Sequence, residues 1–250
     1  MDYKKVDEYK TALKGRRVLV VGMGKSGKAA VHALCPIGAV VAVQDSNTVE
    51  KIDPEFVEYM KANGVEMNLG SIPEDMTAYE MLVLSPGVPT DLAFINAARE
   101  AGAEILGELE LAYRLTKGTY IAITGTNGKT TTTTLVGEIF EASGRTTSVV
   151  GNIGNPVVTE AVNSTGDNWM VAEVSSFQLE TVSEFRPVVS AILNLTPDHL
   201  NRHKTMEAYG QAKANVAANQ TAEDYLVVNY DDKACMALVE SCSATKVPFS

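Results

Sequence analysis

The most informative stretch of the chain is Ile121-Ala-Ile-Thr-Gly-Thr-Asn-Gly-Lys-Thr-Thr131. Its apolar start is typical of a buried strand, and the glycines that follow mark a tight turn. The threonines from Thr130 to Thr134 have poor helix propensity, although a helix pattern begins there. Because residues of poor helix propensity destabilise a helix start, their presence here favours a functional role for this strand–turn–helix segment over a role in packing.

This turn resembles a P-loop that ends in Gly-Lys-Thr. The full G-x-x-x-x-G-K-[ST] pattern would place glycine at Ile123, so the segment is a variant of that motif. Its backbone N–H groups can form an anion nest, the lysine can neutralise phosphate charge, and the first threonine hydroxyl can reach Mg²⁺. The turn therefore predicts an ATP or GTP site formed by Gly125, Thr126, Asn127, Gly128, Lys129, Thr130 and Thr131.

A second glycine turn occurs earlier in the chain, where the apolar run Val18–Val21 leads into Gly22-Met-Gly24-Lys-Ser-Gly27. Asp45 follows Gly24 at the distance of about 20 residues that is typical of a dinucleotide-binding unit. The glycines allow close approach of a phosphate to a helix N-terminus. This turn is consistent with an NAD-binding site, but a nucleotide sugar would use the same amides.

Three further segments carry polar or turn-forming residues just after apolar runs. Ser85-Pro86-Gly87 is either a plain turn or a loop that presents its backbone to a ligand. Glu173 is either a helix cap or salt-bridge partner, or a ligand of the Mg²⁺ that Thr130 contacts. Asp198 and His199 follow the next apolar run, and together they favour a metal site. A single helical lysine such as Lys213 is by itself expected to be solvated.

Short apolar runs alternate with longer amphipathic segments over the whole chain, a pattern that predicts parallel sheets covered by helices on both faces. The fold class is therefore α/β. We expect an N-terminal Rossmann-like parallel-sheet domain at residues 1–116, and a P-loop-type α/β ATPase domain at residues 117–250. The last residues, Lys246–Ser250, are typical of the start of another strand, so the second domain is expected to be incomplete.

Composition narrows the classes of function. The net charge of −10 disfavours binding to a nucleic acid backbone. No apolar run approaches the ~20 residues that span a bilayer, and the charged N-terminus has no signal-peptide core. The three cysteines show no disulfide framework. We therefore expect a cytoplasmic protein that contacts neither nucleic acid nor membrane.

Taken together, these segments resemble the Mur ligase family, the ATP-dependent amide-forming enzymes of bacterial peptidoglycan synthesis. The resemblance rests on six motifs that span nearly the whole chain in order. They are Gly22–Gly27, Ser85–Gly87, Gly125–Thr130, Gly151-Asn-Ile-Gly154, Glu173-Val-Ser-Ser-Phe-Gln-Leu-Glu180 and Asn194-Leu-Thr-Pro-Asp-His199. The fourth and fifth motifs favour the member that joins D-glutamate to UDP-N-acetylmuramoyl-L-alanine (UDP-MurNAc-L-Ala), an acid–D-amino-acid ligase.

The resemblance implies roles for individual residues. Lys129 and Thr130 would serve ATP and Mg²⁺, and Glu173 and His199 would ligate the metal. Lys213 aligns with a lysine that the family often carries as a carbamate, and it would join Lys129 and His199 as a catalytic residue. The UDP-substrate would contact a larger set that includes both N-terminal turns: Gly24, Lys25, Ser26, Asp45, Ser46, Ser85, Pro86, Gly87, Asn152 and Ser175.

The chain departs from the family in two respects. Many members carry aspartate where this chain has Asn201. Members also carry a C-terminal domain that binds the incoming amino acid, and we expect that domain to be absent here and the fragment to be inactive by itself. The alternatives are an NAD-binding Rossmann oxidoreductase and a non-catalytic nucleotide-binding module. We expect a monomer.

Overall fold

The computed structural model describes residues 3–250, which form two parallel β-sheets with helices between the strands. The strands are β1 Arg17–Val21, β2 Val40–Asp45, β3 Glu66–Leu69, β4 Met81–Leu84, β5 Glu104–Gly107, β6 Thr119–Thr124, β7 Thr147–Gly151, β8 Trp169–Glu173, β9 Val189–Ile192, β10 Tyr225–Asn229 and β11 Thr245–Phe249. The helices are α1 Tyr3–Leu13, α2 Lys25–Ile37, α3 Pro54–Ala62, α4 Ala93–Glu100, α5 Glu108–Leu115, α6 Lys129–Ala142, α7 Val157–Ala161, α8 Ser176–Leu179, α9 Leu200–His203, α10 Met206–Ala214 and α11 Lys233–Leu238.

The first sheet has the strand order β3-β2-β1-β4-β5, with every neighbouring pair parallel. Val18 lies at its centre, with Val41 of β2 and Met81 of β4 as its register partners. All three are buried, as expected for a sheet covered on both faces. The order reverses direction at β1 and β4, so the turns after these two strands lie at the switch point where open α/β sheets bind ligands.

The second sheet has the order β11-β10-β9-β6-β8-β7 and is likewise parallel throughout. β6 lies between β8 and β9, with Ile123 opposite both Glu173 and Ala191. The carboxyl ends of these three strands therefore meet at one edge. At that edge lie the P-loop-like turn, the residues after Glu173, and the segment from Asn194 to His199.

The helix α5 connects the two sheets and carries two buried carboxylates. Glu110 is fully buried and accepts hydrogen bonds from the backbone N–H groups of Ser183 (3.0 Å) and Phe185 (3.1 Å). Glu108 accepts one from the Val158 N–H at 2.6 Å, and burial raises its pKa to about 7. These bonds fix α5 of the first half against the second half.

The prediction of an α/β fold with two parallel-sheet halves is confirmed. Residue 116 lies between α5 and β6, and the domain boundary expected there stays a prediction. The strand expected near Lys246 is present as β11. Strands β3, β5 and β7 have four or five residues and lie at sheet edges, and no apolar run in the sequence was long enough to predict them. Within residues 3–250, no helix has the length and apolar character needed to cross a bilayer.

Candidate functional site

The first glycine turn depends on two glycines for its shape. Gly22 has a φ of 87°, and a Cβ atom there would lie 2.9 Å from Val88 Cγ2. A Cβ on Gly27 would lie 1.8 Å from the Gly22 carbonyl oxygen, so the start of α2 packs directly onto the turn. Gly24 is the N-cap of α2, and Lys25 and Ser26 form its first turn. The amides at this helix end are available to an anion.

A cavity of about 580 Å³ lies along the carboxyl edge of the first sheet. Among the predicted substrate residues, Asp45, Ser46 and Gly87 line it. Gly24, Lys25 and Ser26 are not part of this lining, and they lie at the adjoining helix N-terminus. A volume of this size is typical of a small-molecule site, and it combines apolar walls with polar groups. Its other lining residues are Val21, Gly22, Gln44, Gly70, Ser71, Ile72, Val88, Pro89, Leu92 and Phe94.

Asp45 holds two parts of that cavity together. Its Oδ2 accepts a hydrogen bond from the Met23 N–H at 2.5 Å, and its Oδ1 accepts one from the Asn47 N–H at 2.7 Å. The carboxylate therefore fixes the glycine turn after β1 relative to the loop after β2. Ser85, in the turn after β4, adds a third tie because its hydroxyl donates to the Gly22 carbonyl at 2.7 Å.

The second glycine turn is held from the neighbouring strand by an amide pair. Asn194 Oδ1 accepts from the Asn127 N–H at 2.8 Å, and Asn194 Nδ2 donates to the Asn127 carbonyl at 3.0 Å. Gly128 has a φ of 84° and precedes α6. The ammonium of Lys129 donates to the Thr126 carbonyl at 2.8 Å. The sequence reasoning gave Asn194 no individual role, because a tie across strands has no local sequence signal.

Thr130, Glu173 and Asn152 form the polar cluster beside this turn. The Thr130 hydroxyl donates to Glu173 Oε2 at 2.7 Å, and Asn152 Nδ2 donates to Glu173 Oε1 at 2.8 Å. Glu173 is only 1% exposed. A Cβ on Gly151 would lie 2.2 Å from the Glu173 carbonyl oxygen, so only glycine lets the neighbouring strand approach this closely. Three predicted site residues from three separate motifs therefore meet here.

The donor set of this cluster fits Mg²⁺ better than a transition metal. One hydroxyl and one carboxylate oxygen are hard ligands, and Mg²⁺ takes its remaining ligands from water and phosphate. Residues 3–250 contain no group of three or more His, Cys, Asp or Glu side chains that could enclose a metal. His199 lies at the N-cap of α9 with a φ of 52°, and its Nε2 is 3.4 Å from Asp198 Oδ2. Its role as a metal ligand stays a prediction.

Lys213 lies beneath the second glycine turn and is only 2% exposed. Its Nζ donates to the Gly125 carbonyl at 2.7 Å and lies 4.6 Å from the centre of the Tyr209 ring. Burial, reinforced by the charge of Lys129, lowers the pKa of Lys213 to about 7. The side chain is therefore buried against the second glycine turn, whereas its sequence context by itself predicted a solvated lysine; its catalytic role stays a prediction.

Ser175 forms the capping box of α8. Its hydroxyl accepts from the Gln178 N–H at 3.3 Å, and Gln178 Oε1 accepts from the Ser175 N–H at 2.9 Å. The Ser175 hydroxyl thus has a structural partner, and its contact with substrate stays a prediction. Pro86 and Gly87 present their carbonyl groups to Arg202, a residue that the sequence reasoning did not single out.

Two family models match this chain, one over each half. Residues 16–107 match the Mur ligase MurD-like N-terminal domain, and residues 123–250 match the Mur ligase middle domain. The UDP-N-acetylmuramoylalanine–D-glutamate ligase of Clostridioides difficile is 50% identical over 239 residues, and that of Alkaliphilus oremlandii is 51% identical over 241 residues. Each alignment covers 95% of this chain and 53% of the ligase, so the chain spans about half the length of these relatives.

Solved structures resemble the chain in fold. The UDP-N-acetylmuramate:L-alanyl-γ-D-glutamyl-meso-diaminopimelate ligase of Neisseria meningitides has a TM-score of 0.58 at 17% identity, covering 94% of this chain and 78% of that one. A murein peptide ligase of Psychrobacter arcticus has a TM-score of 0.54 at 14% identity, covering 94% of this chain and 53% of that one. The family models match both sheets in chain order. The chain therefore belongs to the Mur ligase family, with a MurD-like N-terminal domain followed by the family's middle domain.

Proposed function

We propose that this chain supplies the UDP-substrate site and the ATP site of a ligase that joins D-glutamate to UDP-MurNAc-L-Ala in peptidoglycan synthesis. The two relatives named above, each about 50% identical, carry the name of that ligase. The first-sheet cavity would bind the UDP-substrate, and the second glycine turn would bind ATP. The location of the protein would be the cytoplasm, where both nucleotides are available.

The observation that carries this proposal is the arrangement around Lys129. Lys129 is the first residue of α6 and directly follows a glycine turn. The hydroxyl of the neighbouring Thr130 donates a hydrogen bond to the buried Glu173 carboxylate at 2.7 Å. A turn that offers backbone N–H groups, one ammonium and a hydroxyl–carboxylate pair matches the needs of a triphosphate with its cation. A hydride-transfer enzyme has no use for such a second site.

The reaction would proceed in two displacements. The L-alanyl carboxylate attacks the γ-phosphorus of ATP, so that ADP leaves and an acyl phosphate forms. The amine of D-glutamate then attacks the acyl carbon, and phosphate leaves as the amide bond forms and the amine loses a proton. In the first step Lys129 and the N–H group of Gly128 would stabilise the charge that develops on the phosphate oxygens.

Thr130 and Glu173 would hold Mg²⁺, which would supply further neutralisation of phosphate charge when bound. His199 is proposed as an additional ligand. Lys213 would act as a carbamate: a nearly neutral amine can add CO₂, and the resulting anion can approach a cation that an ammonium would repel. Its burial and lowered pKa support this role.

The 250 residues are expected to bind both nucleotides but to incorporate no D-glutamate by themselves. The resemblance assigns amino-acid binding to a further C-terminal domain, and the relatives are about twice as long as this chain. We expect the purified chain to be a monomer. Incorporation of labelled D-glutamate by the 250 residues would contradict this division of roles.

Isothermal titration with UDP-MurNAc-L-Ala, Mg²⁺–ATP and NADH tests the proposal against its rivals. The proposal expects binding of the first two and none of NADH. In Lys129→Ala, ATP binding should fall by roughly 100-fold, the scale of a lost charge-assisted contact, while binding of UDP-MurNAc-L-Ala should be unchanged. Lys117→Ala is the matched control, since this lysine lies near Asp7. Binding of NADH alone would favour the oxidoreductase, and ATP binding unaffected by Lys129→Ala would refute the assigned ATP site.

A further inference from the structure

Arg202 joins the ligand-binding edges of the two domains. It lies in α9, after β9 of the second sheet, and its guanidinium donates to three carbonyl groups of the first domain. Nη1 is 3.3 Å from the Pro86 oxygen and 3.4 Å from the Gly87 oxygen, and Nη2 is 3.0 Å from the Val88 oxygen. These carbonyls belong to the turn after β4. We call this set of contacts the Arg202 bridge.

The arginine is held in place by its own domain. Glu180 Oε2 accepts a hydrogen bond from Nη2 at 2.6 Å, and the guanidinium carbon lies 4.7 Å from the centre of the Phe177 ring. The Arg202 side chain is 16% exposed. A planar cation fixed by a carboxylate and an aromatic face presents its remaining donors in one direction. The bridge is therefore oriented before any ligand arrives.

The turn that Arg202 contacts forms part of the cavity wall in the first domain. Gly87 and Val88 line that cavity. The Val88 N–H donates to the Ser85 carbonyl at 2.9 Å, and the Ser85 hydroxyl donates to the Gly22 carbonyl at 2.7 Å. A movement of this turn would change both the cavity wall and the first glycine turn.

The segment that leads into α9 contacts the second glycine turn, although Arg202 itself does not. The Arg202 N–H donates to the His199 carbonyl at 3.0 Å. Three residues before His199, the Thr196 N–H donates to the Thr126 hydroxyl oxygen at 3.0 Å. The chain from Thr196 to Arg202, with hydrogen bonds at both ends, thus connects the proposed ATP site to the wall of the proposed UDP-substrate cavity.

We infer that Arg202 is a positioning residue through which the second domain shapes the UDP-substrate cavity of the first. The geometry stands by itself, and only the identity of the ligand rests on the proposed function. Arg202 contacts neither the second glycine turn nor the Thr130–Glu173 pair. Its loss should therefore weaken binding in the first cavity without weakening binding of ATP.

The test compares Arg202→Met, Arg202→Lys and the control Lys204→Met in the 250-residue chain. Lys204 is exposed, and its Nζ bonds only locally, to the Asn201 carbonyl. Titration with UDP and with Mg²⁺–ATP measures the two sites separately. Amide hydrogen exchange at the Val88 N–H, measured without ligand, reports how stable the turn after β4 is. Thermal unfolding reports the stability of each variant.

We expect Arg202→Met to weaken UDP binding by about tenfold, the scale of lost charge-assisted hydrogen bonds, and to speed exchange at Val88. Arg202→Lys keeps the positive charge but loses the planar guanidinium with its several N–H donors, so its UDP affinity should be intermediate. ATP binding should change by less than about twofold, because its contacts lie elsewhere. Lys204→Met should match the wild type throughout.

Two outcomes would overturn the inference. One is unchanged UDP affinity and unchanged Val88 exchange in Arg202→Met. The other is an equal loss of UDP and ATP affinity together with a lower unfolding temperature, which would mark Arg202 as a general stabilising residue. If the wild type fails to bind UDP while Arg202→Met still speeds exchange at Val88, the bridge is supported, and the proposed ligand of the cavity is the part that fails.

Discussion

The Thr130 hydroxyl and the Glu173 carboxylate lie 2.7 Å apart, although 43 residues separate them in the chain. We expect Thr130→Val, which keeps the shape of the side chain but removes the hydroxyl, to lower Mg²⁺-dependent ATP affinity by about tenfold or more. Binding of UDP-MurNAc-L-Ala should not change. Isothermal titration at several Mg²⁺ concentrations measures both affinities.

Thr134→Val is the matched control for this change. Thr134 is an exposed residue on the same helix α6, and it lies one turn beyond the cluster. Its substitution should leave both affinities as they are. Equal ATP affinities for Thr130→Val and Thr134→Val would show that the pair does not serve the nucleotide.

Substitution by alanine should have very different effects on stability at Gly24 and at Gly27 of the first glycine turn. A Cβ on Gly27 would lie 1.8 Å from the Gly22 oxygen, whereas a Cβ on Gly24 meets no atom within 4 Å. We expect Gly27→Ala to cost ~3 kcal/mol of unfolding free energy, at the upper end for overpacking, and to weaken UDP binding. Gly24→Ala should change stability by less than about 0.5 kcal/mol. Urea unfolding measures both values, and similar losses would contradict this account of the turn.

Lys213 should give the unfolding free energy a characteristic dependence on pH. Burial and the charge of Lys129 lower its pKa to about 7 in the folded chain, against about 10.4 when unfolded. Between these values the unfolded chain binds more protons, so the contribution of Lys213 to stability rises with pH. Below pH 7 the penalty for burying the ammonium is present in full. Relative to Lys213→Met, the wild type should therefore gain stability from pH 7 to pH 9.

Urea unfolding of both proteins in CO₂-free buffer measures this gain. Lys129→Met supplies an independent check, because removing the neighbouring charge should raise the pKa of Lys213 and move the rise in stability to higher pH. Parallel stability curves for the wild type and Lys213→Met across this range would rule out the lowered pKa.

Arg114 contacts the carboxylates of Glu104, Glu110 and Glu184. Glu110 and Glu184 differ most in burial, so their contributions to stability should differ as well. Glu110 is fully buried, 2.9 Å from Arg114 Nε, and also accepts backbone hydrogen bonds from residues 183–185. Glu184 lies 3.3 Å from Arg114 Nη2 with a side chain that is 66% exposed. Glu110→Ala should cost about 3 kcal/mol, because it removes the buried acceptor of Arg114 Nε and leaves the amides of residues 183–185 without their partner.

The exposed partner provides the control. Glu184→Ala should cost less than about 1 kcal/mol, since solvent screens an exposed ion pair. Chemical denaturation of the two variants gives the comparison directly. A loss of similar size in both would mean that the loop at residues 183–185 is not fixed by Glu110.

The sequence was sufficient for the central strands and for both glycine turns. Strands β1 and β6 are buried on both faces, so they appear as continuous apolar runs, and glycine patterns identify the turns after them. Strand β3, with the sequence Glu66-Met-Asn-Leu69, lies at a sheet edge and shows no such run. Helix α5 was also missed, because its carboxylates Glu108 and Glu110 are buried at a contact between domains.

By itself, the sequence determined the α/β class, the family resemblance and the residue types proposed to face phosphate, because these depend on local backbone geometry and short spacing. Only the tertiary structure decided which residues meet: Thr130 with Glu173, Asn194 with Asn127, Lys213 with Gly125, and Arg202 with the turn after β4. Such contacts join distant parts of the chain. They arise because parallel strands bring their carboxyl ends to one edge of a sheet, an arrangement that depends on strand order.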